Sequence, residues 1–507
     1  MSVVGELKEY QDLYVEIKRT ISNRKNKNRI STTKRIEFLS DQYDFLLLIF
    51  DNAHHSDDIK WTEQWVTKEL VEYLIPSLNE LLESDDILDN ELNFAYKTWE
   101  KAYALASRRS FHHFLLFVEM DRAKDKQVYA NRIEVLRGMS YYLNKMDNEE
   151  LFLNLVASFP PSYGKSFIVN YFSAWVFGQD LSNSILRMSY SDDLLNGFSR
   201  SIKELILGER FMQVFPAFAR FGNKPFAKEQ EAGWKIKTSD SQVSHYSRTR
   251  DGAVTGVRAN SYIAFDDMTK GQEEANNDTI HENYWQSYMT AWQNRKTDDK
   301  VKELTVGTMW NPKDILGRKG EQLQKKWTER KGKFPYCTEY VDDEGNVRGV
   351  IIRVPLLDEN EKSTCETIYT TETALEIREN TDDFLFSCVY QQDPIAPTGR
   401  AFSYENLQTY KIVVSDIVRN DKVIDLNKYA RATLDPVRKG KDNISMPICR
   451  YDEERPFEHY LIDVIYRGKS MDEVYDAIVE KVKQHKIVKF VLENNTDTSL
   501  KYVIAQK

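Results

Sequence analysis

The residues from 159 to 166 combine residue types and spacing that suit the binding of a nucleotide. They read Phe-Pro-Pro-Ser-Tyr-Gly-Lys-Ser. In a turn of this kind, backbone N–H groups and the start of the next helix surround the phosphates, the lysine reaches the β- and γ-phosphates, and the hydroxyl binds Mg²⁺. The pattern departs from the usual one at Phe159, where a glycine is expected. The predicted nucleotide-binding residues are Pro161, Ser162, Tyr163, Gly164, Lys165 and Ser166.

Two consecutive acids, Asp266 and Asp267, form a second candidate site. They follow the apolar run Tyr-Ile-Ala-Phe at residues 262–265, which is typical of a buried strand. Such a strand can deliver one carboxylate to Mg²⁺ and the next to the water that attacks a phosphate. We assign Asp266 to the metal and Asp267 to the water. The alternative is an ordinary strand that runs into an Asp-rich turn, but the position of the pair about one hundred residues after Lys165 favours the site.

These residues need a framework that brings them together, and the alternation of apolar segments supplies one. Strand-like and helix-like segments alternate from residue 151 to residue 307, which predicts a parallel, three-layer α/β sheet. Ligands of such sheets bind at the carboxyl ends of the strands. Lys165, Asp266 and Thr308 all follow apolar runs, so we expect them to meet at that edge. The predicted strands are 151–158, 185–190, 261–265 and 302–307, and the predicted helices are 167–177, 192–207 and 276–291.

Composition and charge restrict the class of protein. The chain has 507 residues, 70 basic and 79 acidic side chains and a net charge of −9, so contact with nucleic acid needs local basic surfaces. The four cysteines form no C-x-x-C pair, which predicts reduced thiols and argues against a disulfide scaffold or structural zinc. No run of 18 apolar residues and no signal-like N-terminus occurs. We therefore predict a soluble protein of the cytoplasm with two or three domains and no membrane contact.

The first part of the chain is predicted to be helical. Residues 6–21 have an amphipathic period, and residues 36–120 stay helical in pattern with few Gly or Pro. The basic run 24–29 is interpreted as a solvated loop, with contact to DNA phosphates as the alternative. The adjacent histidine pairs in this part are not expected to bind metal, because neighbours on a helix point about 100° apart.

Several segments in a fixed order resemble the ATPase of the large terminase subunits of tailed bacteriophages. They are Ser-Tyr-Ser-Asp-Asp-Leu-Leu-Asn-Gly-Phe-Ser-Arg at 189–200, Thr-Gly at 255–256, Tyr-Ile-Ala-Phe-Asp-Asp-Met-Thr-Lys at 262–270 and Val-Gly-Thr-Met-Trp-Asn-Pro-Lys-Asp at 306–314. Gln-Gln-Asp-Pro at 391–394, with Gly-Arg-Ala-Phe at 399–402, resembles the segment that closes the family's ATPase domain. The resemblance covers about residues 150 to 507.

This resemblance implies an ATP-driven motor that moves double-stranded DNA into a phage procapsid, coupled to a Mg²⁺- or Mn²⁺-dependent endonuclease that cuts concatemeric DNA. It implies ATP and Mg²⁺ for the ATPase, a small terminase subunit, a portal protein and a homo-oligomeric ring as partners, and the host cytoplasm and portal vertex as location. The implied fold is a P-loop (ASCE-type) three-layer ATPase domain with a helical N-terminal region, followed by an incomplete RNase H-like α/β nuclease domain. The predicted boundaries are 1–115 for the helical region, 116–395 for the ATPase, 396–428 for a linker and 429–507 for the nuclease.

The resemblance also assigns roles to single residues. Thr308 falls at the coupling motif, which senses the γ-phosphate and transmits hydrolysis to domain movement. Many relatives carry an arginine within the phosphate turn, where this chain has Ser162. Phosphoryl transfer usually needs an arginine to neutralise developing charge, often from a neighbouring subunit. Arg258, ahead of the strand that bears Asp266, is the first candidate, and Arg200 is the second.

The second domain is predicted from four strand-like segments and one helix, the opening pattern of an RNase H-like fold. Asp435 ends the first strand and Glu493 ends the fourth, and the adjacency of these strands in that fold would bring both acids to divalent metal. Asp442 is either a supporting acid or a polar turn residue. Relatives use a further aspartate beyond the second acid, and the sequence ends 14 residues after Glu493, so we expect weak or no cleavage. The predicted strands are 429–434, 444–450, 459–465 and 487–492, and the predicted helix is 471–484.

Two other functions stay open at this point. A helicase or repair translocase would use a related ATPase core, and a non-catalytic assembly protein would carry a vestigial nucleotide site. Strand separation on a forked duplex distinguishes the first from a packaging motor. The second is disfavoured because the lysine, the serine and both aspartates of the candidate site are retained.

Overall fold

A computed structural model places the chain in two compact units, Met1–Gly399 and Arg400–Lys507. The structure describes residues 11–12, 14–16, 18–19, 31–56, 58–84, 87–222, 224–230, 233–237, 243–275, 277–393, 411–413, 416–419, 422–425, 430–435, 444–452, 455–467 and 474–492.

The first part of the first unit is helical, as predicted from its periodicity. Its helices share a hydrophobic cluster of their own, in which Leu46, Val66 and Leu105 are buried. Asp58 accepts a hydrogen bond from the Trp61 backbone N–H at 2.9 Å and so caps the second helix. A π-helical turn, Leu70–Leu74, joins the second helix to the third. The helices are α1 (Thr32–Asp51), α2 (Ile59–Glu69), α3 (Ile75–Leu82) and α4 (Asp89–Ser107).

Two further helices, α5 (Phe111–Glu119) and α6 (Ile133–Asn148), belong to the core of the central sheet. Phe111 packs on Trp175 with ring centroids 5.5 Å apart. The predicted domain boundary at residue 115 therefore falls inside α5. The helical periodicity of the sequence continues across residue 115. It therefore does not indicate where the helices stop packing on one another and begin to pack on the sheet.

Ten described strands form one sheet in the first unit. They are β1 (Asn154–Ser158), β2 (Ile185–Ser189), β3 (Phe226–Gln230), β4 (Gly233–Ile236), β5 (His245–Thr249), β6 (Tyr262–Asp266), β7 (Lys302–Gly307), β8 (Thr328–Lys331), β9 (Cys337–Val341) and β10 (Val347–Arg353). Their order is β3-β4-β5-β2-β6-β7-β1-β10-β9-β8. The six neighbours from β5 to β10 are parallel, which confirms a large parallel-rich α/β sheet. The parallel strands β5 and β10 were not predicted, nor were the antiparallel strands at the two edges, β3, β4, β8 and β9.

Helices cover both faces of this sheet. Successive residues of β1 point to opposite faces, so Leu155 and Ala157 lie in one hydrophobic cluster and Val156 in another. The helix after β1, α7 (Lys165–Gln179), is buried at ten consecutive residues, 168–177. Packing on all sides fixes this helix and hence its first turn. The remaining α-helices of the unit are α8 (Asp192–Leu207), α9 (Glu209–Val214), α10 (Pro216–Ala219), α11 (Gln272–Ala275), α12 (Asp278–Ser287), α13 (Ile315–Lys326), α14 (Thr371–Asn380) and α15 (Asp383–Leu385).

Among the residues that the structure describes, no helix is both long enough and apolar enough to cross a membrane.

The second unit begins with three short strands inside the segment predicted as a linker, 396–428. They are β11 (Lys411–Val413), β12 (Asp416–Arg419) and β13 (Lys422–Asp425), paired antiparallel in sequence order. Each has only three or four residues. Alternation over so short a run is too weak a signal to be recognised in the sequence.

A second sheet of this unit contains β14 (Ala430–Leu434), β15 (Ile444–Asp452), β16 (Arg455–Arg467) and β17 (Ile487–Leu492), with α16 (Tyr475–Gln484) before the last strand. Their order is β16-β15-β14-β17. β14 and β17 are parallel, with Leu434 opposite Leu492. Ile478 of α16 is buried in the cluster formed by the strands. The succession of three strands, a helix and a fourth strand is the one expected from the sequence.

Candidate nucleotide site

The turn between β1 and α7 has left-handed backbone conformations at two positions. φ is 66° at Ser162 and 84° at Gly164, and α7 begins at the next residue, Lys165. Left-handed residues in a turn let successive N–H groups point into one concavity that accepts anions. A non-glycine residue in this region costs about 1–2 kcal/mol, and such strain persists where the surroundings hold the backbone.

Phe159 stands at the position where a glycine is usual. Its side chain is fully buried, and its backbone N–H donates a hydrogen bond to the Gly307 carbonyl at 3.2 Å. This bond fixes the start of the turn to the end of β7. The positive φ values occur later in the turn, so a bulky residue at 159 carries no backbone strain.

A segment on the far side of the turn supports it. Tyr163 is fully buried, and its hydroxyl lies 3.0 Å from Thr364 Oγ1. The Tyr369 hydroxyl donates to the Pro161 carbonyl at 3.5 Å. These contacts tie the turn to the segment 364–369.

Lys165 lies between two groups at the carboxyl end of the sheet. Its Nζ donates to Thr308 Oγ1 at 3.2 Å and is 4.0 Å from Asp267 Oδ2. The ammonium is therefore already at the predicted water-orienting acid and the predicted coupling residue. A γ-phosphate placed beside the lysine would touch both.

Ser166 and Asp266 face each other across the same edge. Ser166 Oγ donates to Asp266 Oδ1 at 3.5 Å. The other oxygen of Asp266 accepts a hydrogen bond from Arg187, and both residues of this ion pair are fully buried. Arg187 also donates a hydrogen bond to Asn170. A hydroxyl and a carboxylate are hard oxygen donors that fit Mg²⁺, which in such sites takes its other ligands from phosphates and water.

No cluster of three or more His, Cys, Asp or Glu side chains suited to a metal occurs among the described residues. A metal at Ser166 and Asp266 would thus depend on the oxygens of a bound phosphate group and of water, as Mg²⁺ sites of this type do.

Asp267 is oriented by the loop that follows β7. Its Oδ1 accepts the Thr308 backbone N–H at 3.3 Å, and its own N–H donates to the Val306 carbonyl at 2.9 Å. A Cβ at Gly307 would lie 3.1 Å from Oδ1, so the carboxylate fits against the backbone of a glycine. Burial raises the pKa of Asp267 to about 6, although Lys165 opposes the shift. A carboxylate with a pKa near neutrality suits proton transfer from water.

The structure does not bring the two candidate arginines to this site within one chain. Arg258 is exposed at the amino end of β6, whereas Asp266 is its last residue at the carboxyl end. Arg200 is exposed on α8. A role for Arg258 from a neighbouring subunit stays a prediction.

The predicted metal ligands of the second unit are only partly described. Asp435 is exposed directly after β14, and its backbone N–H donates to the Ser445 carbonyl at 2.9 Å. Glu493 and Asp442 lie outside the described residues. The register places Leu434 opposite Leu492, the residues that precede the two acids in sequence.

Three residues at the site were missed from the sequence. Arg187 is the one charged residue of β2, and a charged residue within a buried strand needs a partner, which was a signal present in the sequence. Arg132 donates from Nε to the Ser162 carbonyl at 2.8 Å, and nothing in the pattern around it indicated that contact. Gln392 accepts a hydrogen bond from the Met309 backbone N–H at 3.1 Å. The position of Gln392 in the segment Gln-Gln-Asp-Pro did not indicate this contact.

No protein-family model matches the sequence, and no curated protein matches it. Among solved structures, the chain is similar to the large terminase from the thermophilic bacteriophage D6E in complex with ADP. The likeness covers 74% of this chain and 79% of that chain, at 9% sequence identity and a TM-score of 0.26. A likeness of this size carries no argument about chemistry, which here rests on the contacts of the site.

Proposed function

We propose that the first unit hydrolyses ATP and that hydrolysis drives the movement of double-stranded DNA. The observation that carries the ATPase proposal is the placement of Lys165 within reach of both Thr308 and Asp267, beside a turn with left-handed residues. A lysine, a threonine and a carboxylate at one edge of a parallel sheet are the groups that a γ-phosphate and its attacking water require.

Each residue has a distinct role in this proposal. The backbone of 161–166 and Lys165 bind the phosphates, and Asp267 orients the attacking water and accepts its proton. Thr308 loses its bond to Lys165 when the lysine turns to the γ-phosphate, so it reports the state of the nucleotide. Mg²⁺, held by Ser166 and Asp266 with phosphate oxygens, would offset the charge of the phosphates.

The DNA-moving part of the proposal is supported by the order of the motifs in the sequence, which resembles that of large terminase subunits. In this proposal a homo-oligomeric ring acts with a small terminase subunit and a portal protein in the host cytoplasm. The second unit is proposed as an RNase H-like nuclease in which Asp435 and Glu493 bind Mg²⁺ or Mn²⁺. Contacts to DNA would be mainly to phosphates and would weaken steeply with salt.

The experiment that tests this proposal is ATP-dependent displacement of a third strand from intact duplex DNA. A translocase on duplex DNA removes the triplex-forming oligonucleotide without separating the two strands beneath it. We expect displacement with ATP and Mg²⁺, none by the Lys165→Ala variant, and wild-type displacement by the control Lys325→Ala, which changes an exposed lysine of α13. Unwinding of a forked duplex would favour the helicase, and inactivity on both substrates would contradict DNA movement.

A further inference from the structure

The segment just before α6 lies against the phosphate turn and is held by a buried carboxylate. Glu119, which is 1% exposed, accepts the backbone N–H groups of Val128 at 3.1 Å and Tyr129 at 2.7 Å. The Tyr129 side chain is fully buried, and its hydroxyl lies 2.8 Å from Ser140 Oγ. The backbone that leads to Arg132 is therefore fixed on two sides.

Arg132 uses this fixed position to hold the turn. Its Nε donates to the Ser162 carbonyl at 2.8 Å, and its Nη1 donates to the Val128 carbonyl at 3.2 Å. Its Cδ lies 3.2 Å from the place where a Cβ on Gly164 would stand. The side chain thus covers the two residues of the turn that have positive φ. Within the part of the chain that the structure describes, Nη2 has no hydrogen-bond acceptor.

We propose that Arg132 is the positioning arginine of the nucleotide site. The inference rests on the proposed ATPase function and answers a question that the sequence leaves open, because Ser162 stands where many relatives carry an arginine. Arg132 stabilises the left-handed backbone of Ser162 through a charge-assisted hydrogen bond. It also places a positive charge beside the turn, where the ligand is the polyphosphate of a nucleoside triphosphate.

Two physical facts support Arg132 over the two arginines proposed from the sequence, Arg258 and Arg200. It contacts the turn directly, whereas Arg258 and Arg200 are exposed elsewhere in the chain. Its planar guanidinium makes two bonds at once with fixed geometry, which a lysine cannot reproduce. Substitution of Arg132 by lysine therefore keeps the positive charge and removes the paired hydrogen bonds, whereas substitution by alanine removes both.

The test is steady-state ATP hydrolysis and equilibrium nucleotide binding by the full chain with Arg132→Ala, Arg132→Lys and a control. Arg137→Ala is the matched control, since Arg137 is an exposed arginine of α6, the helix that follows Arg132, and makes no hydrogen bond or ion pair with the turn among the described residues. For Arg132→Ala we expect KM and the dissociation constant for ATP to rise about tenfold or more, with a smaller change in kcat. Arg132→Lys should recover part of the affinity, because it restores the charge without the paired hydrogen bonds.

Chemical rescue separates positioning from general stability. Ethylguanidinium in solution should restore part of the ATP affinity of Arg132→Ala and none of the activity of Lys165→Ala. The melting temperature without nucleotide should stay close to that of Arg137→Ala. If Arg132→Ala does not fold, the Arg132→Lys variant decides by the same KM comparison.

Three results would overturn the inference: a wild-type KM in both Arg132 variants, an equal loss in Arg137→Ala, or a loss that guanidinium does not rescue. Failure of the proposed function itself is a different result, namely absence of hydrolysis by the wild type or hydrolysis unaffected by Lys165→Ala.

Discussion

At the scale of single residues, the predicted metal ligand Asp266 is held by a buried arginine. Asp266 and Arg187 are both fully buried, and the guanidinium also bonds Asn170 and the Ser166 carbonyl. This pairing leaves Oδ1 of Asp266 directed at the Ser166 hydroxyl. The buried arginine thereby both balances the acid and sets its orientation.

Replacement of Arg187 by Leu is expected to destabilise the first unit by about 3–5 kcal/mol, because it leaves Asp266 as an unpaired buried charge. The measurement is the free energy of unfolding from denaturant titration. The control is Arg378→Leu, which breaks an ion pair between exposed side chains and should cost about 1 kcal/mol or less. Similar losses in the two variants would show that Arg187 does not balance Asp266.

Replacement of Gly307 by Ala should lower ATP turnover at least about tenfold with little change in nucleotide affinity. The added Cβ would stand 3.1 Å from Asp267 Oδ1 and would displace the carboxylate that we propose orients the water. Gly197→Ala is a matched control, since its Cβ would meet nothing within 4 Å. Turnover and affinity are both measured, and normal turnover in Gly307→Ala would exclude Asp267 in its observed position as the catalytic acid or base.

At the scale of elements, β7 connects the candidate nucleotide site to a buried charge network at its other end. Glu303 is 2% exposed and lies 2.6 Å from Lys296 Nζ. It also bonds Lys319, and it accepts the Tyr288 hydroxyl at 3.0 Å. The network ties β7 to Lys319 of α13 and to Tyr288, the residue after α12. One end of the strand is thus held by charges while the other presents Thr308.

This network makes the stability of the first unit depend on pH in the acidic range. Burial alone would raise the pKa of Glu303, but Lys319 and Lys296 lower it to about 2. The carboxyl of Glu303 titrates at pH ~4.3 in the unfolded chain, so the folded state binds this proton less readily than the unfolded state does. The ionised Glu303 therefore contributes about 3 kcal/mol to the free energy of unfolding. This contribution is present above pH ~4.3 and is lost as the pH falls towards 2.

Glu303→Gln should remove that part of the pH dependence and should also destabilise the unit at neutral pH, because the buried Lys319 and the half-buried Lys296 lose their charged partner. The measurement is the free energy of unfolding as a function of pH, compared with Glu359→Gln at an exposed position. A pH profile of Glu303→Gln parallel to that of the wild type would contradict the role of Glu303.

The elements differ in how far they were predictable. The strongly periodic helix 192–207 and the strand 302–307 were predicted with the bounds observed for α8 and β7. The edge strands β3 and β8 were not predicted, because they carry charged residues and depend on neighbouring strands for their pairing.

The residues of the candidate site also differ in how far they were predictable. Lys165 and Asp266 were found from their spacing along the chain, whereas Arg132 comes into contact with Ser162 only through folding. A motif in the sequence identifies residues that are close along the chain, whereas a contact between distant segments is seen only in the tertiary structure.

At the scale of the whole molecule, Gln392 connects the site to the end of the described part of the first unit. It is fully buried, has a φ of 54°, and accepts the Met309 backbone N–H at 3.1 Å. Met309 follows Thr308, whose hydroxyl contacts Lys165. A change at Lys165 therefore has a short covalent and hydrogen-bonded route to residue 392.

We expect a non-hydrolysable ATP analogue to change amide hydrogen exchange at 386–393 in the wild type and to have less effect there in Gln392→Ala. The reason is that the variant loses the acceptor for the Met309 N–H. Gln391→Ala is the control, because Gln391 contacts the Leu357 backbone instead. Equal responses in wild type and Gln392→Ala would rule out this route.

The central claim is that Lys165, Thr308 and Asp267 form an ATP-hydrolysing site, and ATP turnover by the full chain with and without duplex DNA tests it most directly. The account predicts Mg²⁺-dependent hydrolysis that rises with duplex DNA, falls to background in Lys165→Ala, and is unchanged in Lys325→Ala. Turnover in Lys165→Ala equal to that of the wild type would contradict it.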